Sequence, residues 1–156
     1  MNGLGQLITI GIISGTAAIG TFLIKGAPER KFVCDPASLQ SDEVCLEQIS
    51  PSDLILWVDA RSRTDWEKTG FLGSILWNLE TGEDVQAFES QAAIRILETP
   101  RVIVYCGDEN CGVSRQVAEK IRGLQLDAKV SALRGGWRAL SEAGYTKNNF
   151  EGEKTL

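Results

Sequence analysis

Residues 102–124 read VIVYCGDENCGVSRQVAEKIRGL, and this stretch decides the fold. Val102-Ile103-Val104-Tyr105 is a run of β-branched and aromatic residues with the length of a buried strand. From Ser114 to Leu124, the residues Val117, Ala118, Ile121 and Leu124 fall on one helical face, and Gly123 sits near its end. A loop of small and polar residues joins the two, so a strand feeds a helix, which is half of a β-α-β unit. The same alternation continues outward. Upstream, Leu54-Ile55-Leu56-Trp57-Val58 reads as a buried strand ending at Asp59. Val85, Phe88, Ala92 and Ile96, with Ala93 and Leu97 beside them, recur at helical spacing until Pro100 stops them. Downstream, Lys129 to Leu133 reads as a third strand, and Gly135-Gly136 as the turn into a helix from Trp137 to about Ala143. The pattern predicts an α/β fold, a parallel sheet flanked by helices, with ligands bound beyond the carboxyl ends of the strands.

Composition narrows the function. A chain of 156 residues with 43% hydrophobic and 24% charged residues is long enough for one folded domain and too short for two large catalytic ones. A net charge of −5 supplies no basic field for phosphate backbones, so nucleic acid is not an expected partner. There is no histidine, which excludes a Ser-His-Asp triad, a Cys-His pair and imidazole-ligated metals. The four cysteines, at 34, 45, 106 and 111, form no CxxC pair, and neither a metal nor a cofactor is expected.

The amino-terminal part reads differently. From Leu4 to Ile24 no residue is charged, and a helix of that length spans roughly 30 Å, the thickness of a bilayer's hydrocarbon core. This predicts a transmembrane helix over 1–25 that precedes a linker at 26–50, a domain at 51–148 and a tail at 149–156. A cleaved signal peptide fits less well, because no Lys or Arg precedes the apolar run. Lys25, Arg30 and Lys31 follow the span with no basic residue before it, which predicts a single-pass membrane protein with its domain in the cytoplasm. Gly11 and Gly15 form a GxxxG pattern, a spacing common by chance in such helices; the oligomeric state stays open. The linker carries Pro28 and Pro36 and one expected helical turn near Asp42–Ile49. Cys34 and Cys45 could pair on an extracytoplasmic face, although such cysteines are more often free thiols.

Cys106 is the candidate nucleophile. It directly follows the second strong strand and precedes the loop Gly107-Asp108-Glu109-Asn110-Cys111-Gly112, with a helix opening near Val113-Ser114. Backbone N–H groups and the positive end of a helix dipole at such a place stabilise thiolate over thiol, and would also hold a persulfide or an oxyanion. The alternative is a small buried hydrophobe that ends a strand.

Three motifs in order resemble the rhodanese-like sulfurtransferase family. Val58-Asp59-Ala60-Arg61 followed by Trp66, Gly70 and Gly73 is similar to its Asp-x-Arg segment and the aromatic and glycine turn after it. Val104-Tyr105-Cys106 with Ser114 resembles its catalytic loop, and Leu133-Arg134-Gly135-Gly136-Trp137 with Ala143-Gly144-Tyr145 its closing motif. The resemblance covers about Leu54 to Lys147. It implies that Cys106 accepts a sulfane sulfur from a small donor and passes it to a thiol or protein acceptor, in two displacements. It further implies that the loop from Gly107 through Val113 to Ser114 holds the outer sulfur through its amides. Asp59, Arg61, Gly135, Gly136 and Trp137 would be structural.

Departures from the family pattern qualify the chemistry. Ser114 lies eight positions beyond Cys106, which makes the loop longer than usual. Where many thiosulfate-using members carry Arg or Lys, this loop has Asp108 and Glu109, which oppose a thiolate and repel a dianion; Arg115 could compensate. Cys111 could resolve an oxidised Cys106, accept sulfur from it, or fill space. A tyrosine-phosphatase reading requires Cys-x5-Arg, but Gly112 stands six beyond Cys106 and Arg115 only four beyond Cys111. The remaining alternative is a non-catalytic or redox-sensing module that uses the Cys106/Cys111 pair.

Overall fold

The computed structural model describes residues 31–50, 52–107 and 112–145. The chain divides into two compact units, Met1–Lys31 and Phe32–Leu156. Apart from Lys31, the first unit, with the expected transmembrane helix at 1–25, lies outside the described residues. Among the described residues no helix is long and apolar enough to cross a membrane.

The second unit is a parallel α/β sheet. Its elements in chain order are β1 (Glu43–Val44), β2 (Leu56–Asp59), α1 (Arg63–Thr69), β3 (Ile75–Leu76), α2 (Val85–Glu98), β4 (Arg101–Tyr105), α3 (Gly112–Gly123), β5 (Lys129–Leu133) and α4 (Gly136–Glu142). Two single-turn 3-10 helices, Pro36–Ser38 and Leu46–Gln48, flank β1. The strands lie in the order β1-β5-β4-β2-β3, and every pairing is parallel. The central strands β2 and β4 are the apolar runs legible in the sequence, since a strand covered on both faces needs no polar alternation, while β5 buries Val130, Ala132 and Leu133 and leaves Lys129 exposed.

Alternation sorts their side chains onto two faces. Leu56 and Val58 on β2 and Val102 and Val104 on β4 point into one cluster with Phe88, Ala92 and Ile96 of α2 and Val117, Ala118 and Ile121 of α3. Trp57, Ile103 and Tyr105 point the other way, into a cluster with Phe71, Leu133 and Leu140 of α4. Cys106, one step past the end of β4, keeps the parity of Val102 and Val104 and packs in the first cluster, on the α2/α3 face. Asp59 is fully buried at the carboxyl end of β2, where Ala60 N donates to Tyr105 O at 2.8 Å and Trp77 N to Asp59 O at 3.0 Å.

Helix starts are fixed locally. Ser62 caps α1 by accepting from Asp65 N, and Asp84 caps α2 by accepting from Ala87 N. Thr99 closes α2 just before Pro100. On α2, Val85 and Leu97 are exposed although they share the sequence's apolar period; the buried stripe is Phe88, Ala92 and Ile96.

The segment expected to be a linker contributes to the domain instead. Glu43 and Val44 pair with Ala132 and Leu133 as the sheet's edge strand, and Leu46 and Ile49 pack against the second cluster. Two residues of strand carry no periodic signal, so β1, like β3, is invisible in the sequence. Cys34 and Cys45, whose state the sequence leaves open, are joined in a disulfide with Cα atoms 5.7 Å apart.

Candidate functional site at the carboxyl end of the sheet

Cys106 leaves β4 at the carboxyl edge of the sheet and is 4% exposed. Its carbonyl accepts a 2.6 Å hydrogen bond from Trp137 N, the second residue of α4. The turn that delivers this donor runs through two consecutive left-handed glycines, Gly135 at φ +83° and Gly136 at φ +50°. A side chain is disfavoured at both, which explains the double glycine. Its other neighbours are the apolar residues of the α2/α3 face, Val117, Ala118 and Ile121 of α3 among them.

Beside the end of β4 lies a buried ionic and aromatic stack. Arg61 donates from Nε to both oxygens of Asp59, at 3.0 and 3.2 Å, and from Nη2 to Oδ2 at 2.7 Å. Its remaining nitrogen, Nη1, reaches Thr69 Oγ1 at 3.0 Å, and its backbone N–H also donates to Asp59. The guanidinium lies 4.2 Å from the Trp137 ring centroid and 5.7 Å from that of Tyr105. Burial opposes the Arg61 charge, but the hydrogen bonds and charge of Asp59 outweigh it, and the guanidinium is held protonated more firmly than usual. Tyr105 is pushed well above the ordinary phenol range, chiefly by burial and then by the Asp59 charge. The Arg61 stem passes 4.0 Å from where a Cβ on Gly107 would stand, so the arginine lies beside the first loop residue.

The sequence-derived residues therefore fall into three groups. Cys106, Gly107, Asp59, Arg61, Gly135, Gly136 and Trp137 converge at one edge. Ser114 is fully buried on α3, Val113 is partly exposed, and Gly112 is exposed. Arg115 donates to Gln40 Oε1. It lines an open groove of about 530 Å³ with Gln40, Ser41, Asp42, Gln116 and Arg122. Asp108, Glu109, Asn110 and Cys111 lie outside the described residues.

Cys106 is disulfide-bonded in this structure. Cys34 and Cys45 are bonded to each other. Cys34, Cys45 and Glu47 bring potential ligand atoms within 4.8 Å of one another, but the two bonded sulfurs have no thiolate to offer a metal.

Sequence reasoning missed Phe32. Its ring lies so close over Gly135 that a Cβ there would overlap it, and its N–H donates to Glu142 Oε2 at 2.6 Å. An isolated aromatic between Pro28 and Pro36, two residues before a cysteine, gives no local signal of a contact a hundred residues away.

A five-stranded parallel sheet with a buried cysteine just past the carboxyl end of a central strand defines the class of α/β domain. The rhodanese-like domain family model matches residues 43–143, and the chain belongs to that family. The matched region starts at β1, in agreement with the structure and ahead of the boundary expected from sequence. No curated protein matches the chain. Among solved structures, it is similar to the N-terminal domain of a protein from Clostridium difficile 630 described as ATP/GTP binding. Identity there is 19%, the TM-score is 0.52, and the match covers 64% of this chain and 96% of the other. It is also similar to the As-Sb reductase from Leishmania major, at 20% identity and a TM-score of 0.46, over 58% of this chain and 65% of the other. At these identities the likeness concerns the fold alone.

Proposed function

We propose that the protein is a sulfurtransferase that carries sulfane sulfur on Cys106 and passes it to a thiol acceptor, a small molecule or a protein. The observation that carries this reading is the setting of Cys106: a buried strand-end cysteine whose carbonyl is fixed by Trp137 N and which packs in the cluster holding Val117, Ala118 and Ile121 of α3. In the first displacement the Cys106 thiolate attacks the outer sulfur of the donor. The donor's S–S bond breaks and its remainder leaves with the electron pair. In the second, the acceptor thiolate attacks the sulfur held on Cys106, and the Cys106 thiolate departs. The disulfide on Cys106 must first be opened by a dithiol, which supplies two electrons and two protons. Asp108 and Glu109 in the loop favour a persulfide donor over the thiosulfate dianion.

Membrane attachment through residues 4–24 belongs to the same proposal. Lys25, Arg30 and Lys31 favour a cytoplasmic domain, whereas the Cys34–Cys45 disulfide favours an oxidising compartment. We give the disulfide more weight, because a bias of three basic residues is small. Labelling of an engineered surface cysteine in intact cells decides between the two; modification from outside is the expected result.

The test is a mass measurement on the Cys106 peptide after the dithiol-reduced, full-length protein meets a small persulfide. Gain of one sulfur atom, lost on adding a thiol acceptor, is expected, and an unmodified Cys106 would refute the reading. The disulfide on Cys106 favours a second reading, a redox module that exchanges disulfides. That module would oxidise a dithiol partner without ever holding an extra sulfur.

A further inference from the structure

We propose that Phe32 is a positioning residue for Cys106, and that the Cys34–Cys45 disulfide, by fixing the segment that carries Phe32, ties the reactivity of Cys106 to a second cysteine pair. Phe32 touches α4 at both ends: its ring covers Gly135 ahead of the helix, and its N–H bonds Glu142 at the other end. Gly135 and Gly136 set the direction of Trp137 N, which holds the Cys106 carbonyl at 2.6 Å. The same Trp137 ring carries the Arg61 guanidinium, whose stem lies beside Gly107. A displacement of Phe32 is therefore passed through one turn to both residues that begin the loop.

What keeps Phe32 there is covalent. Cys34 is two residues away, and its partner Cys45 is 1% exposed and directly follows β1. β1 is in turn bound to the strand that leads into Gly135: Arg134 N donates to Val44 O at 2.9 Å, and Arg134 pairs with the buried Glu43 carboxylate at 3.5 Å. Apart from these links, the segment from Phe32 to Gln40 is mostly exposed and forms one short turn. A dithiol that reduces Cys34–Cys45 gives two thiols and becomes a cyclic disulfide itself, and the segment then keeps only its noncovalent contacts.

The inference rests on the proposed function only in taking Cys106 as the reacting thiol. It is tested on the full-length Cys111→Ser protein, once mass analysis has established a free Cys106 thiol beside a closed Cys34–Cys45 disulfide. Alkylation of Cys106 by iodoacetamide is followed against pH by mass analysis of its peptide, before and after reduction of the disulfide. Reduction is expected to slow alkylation at pH 7 about threefold and to raise the pH midpoint by about half a unit. Phe32→Ala should reproduce both changes with the disulfide closed, Phe32→Leu should restore most of the loss, and reduction should add nothing in Phe32→Ala. Circular dichroism fixes a temperature at which every variant is folded. An unchanged midpoint in Phe32→Ala and after reduction would overturn the proposal, as would a full effect of reduction that persists in Phe32→Ala. If wild type carries no sulfur while these shifts hold, the sulfurtransferase reading fails and this one stands.

Discussion

Arg61 holds the site together through a carboxylate it cannot exchange. It and Asp59 are both buried, and three of its donors converge on that one group. Asp59→Asn leaves the guanidinium buried without a counter-charge, and stability should fall by about 3–5 kcal/mol. Urea unfolding measures this; a loss below about 1 kcal/mol would show that the pair is dispensable. Tyr105 makes a different prediction. Its hydroxyl accepts from Phe71 N at 3.4 Å and lies 3.5 Å from Ser74 Oγ, both long, so Tyr105→Phe should cost no more than about 1 kcal/mol at neutral pH. Its proton is bound more tightly in the folded state than in the unfolded chain, where the phenol titrates near 10.0. Below that pH both states keep the proton and stability is unaffected. Above it the unfolded chain ionises first, and stability falls as pH rises. Wild type should therefore lose stability above pH 10 in thermal melts, and Tyr105→Phe should lack that part of the loss.

Among the elements, the turn into α4 is the most constrained. Gly135→Ala places a side chain at φ +83° and into the Phe32 ring, and should cost at least about 2 kcal/mol. Gly123→Ala, at the end of α3 with open space around it, should be neutral or stabilise by about 0.5 kcal/mol. Denaturant midpoints of the two variants, lowered in Gly135→Ala and unchanged or raised in Gly123→Ala, would separate a turn requirement from a general preference for glycine. The elements legible in the sequence are those whose burial imposes a pattern. Residues 129–133 match β5 end to end, and 102–105 fall one residue short of β4, because burial of Val102 to Tyr105 and of Val130, Ala132 and Leu133 imposes an apolar pattern. α1 escaped because none of its residues is buried, so no apolar period marks it; its cap at Ser62 and the ion pair of Arg63 with Glu83 sustain it. β1 and β3 have two residues each, too few to show alternation.

The whole molecule is closed by contacts distant in sequence, which is why the site was only half legible. Cys106, Asp59, Arg61 and the double glycine announce themselves through local spacing. The disulfide and the Phe32 contact bring residues 32–45 onto the domain by tertiary proximity alone. Cys34–Cys45 closes a loop with a sequence separation of 11, and by loop-closure entropy its removal should cost about 3 kcal/mol. The paired Cys34→Ser and Cys45→Ser variant, compared with oxidised wild type in urea, checks this; equal midpoints would mean that the segment holds by packing alone. A domain truncated at residue 50 lacks β1 and this clasp, and for that reason the full chain is the proper object of assay.

The most direct test of the central claim is sulfur transfer by the reduced, full-length protein from a small persulfide to cyanide, read as thiocyanate, for wild type and Cys106→Ser. The account predicts turnover in wild type and a loss of at least about a hundredfold in Cys106→Ser, with the fold intact by circular dichroism. Equal rates in the two proteins, or no turnover in a folded and reduced wild type, would contradict it.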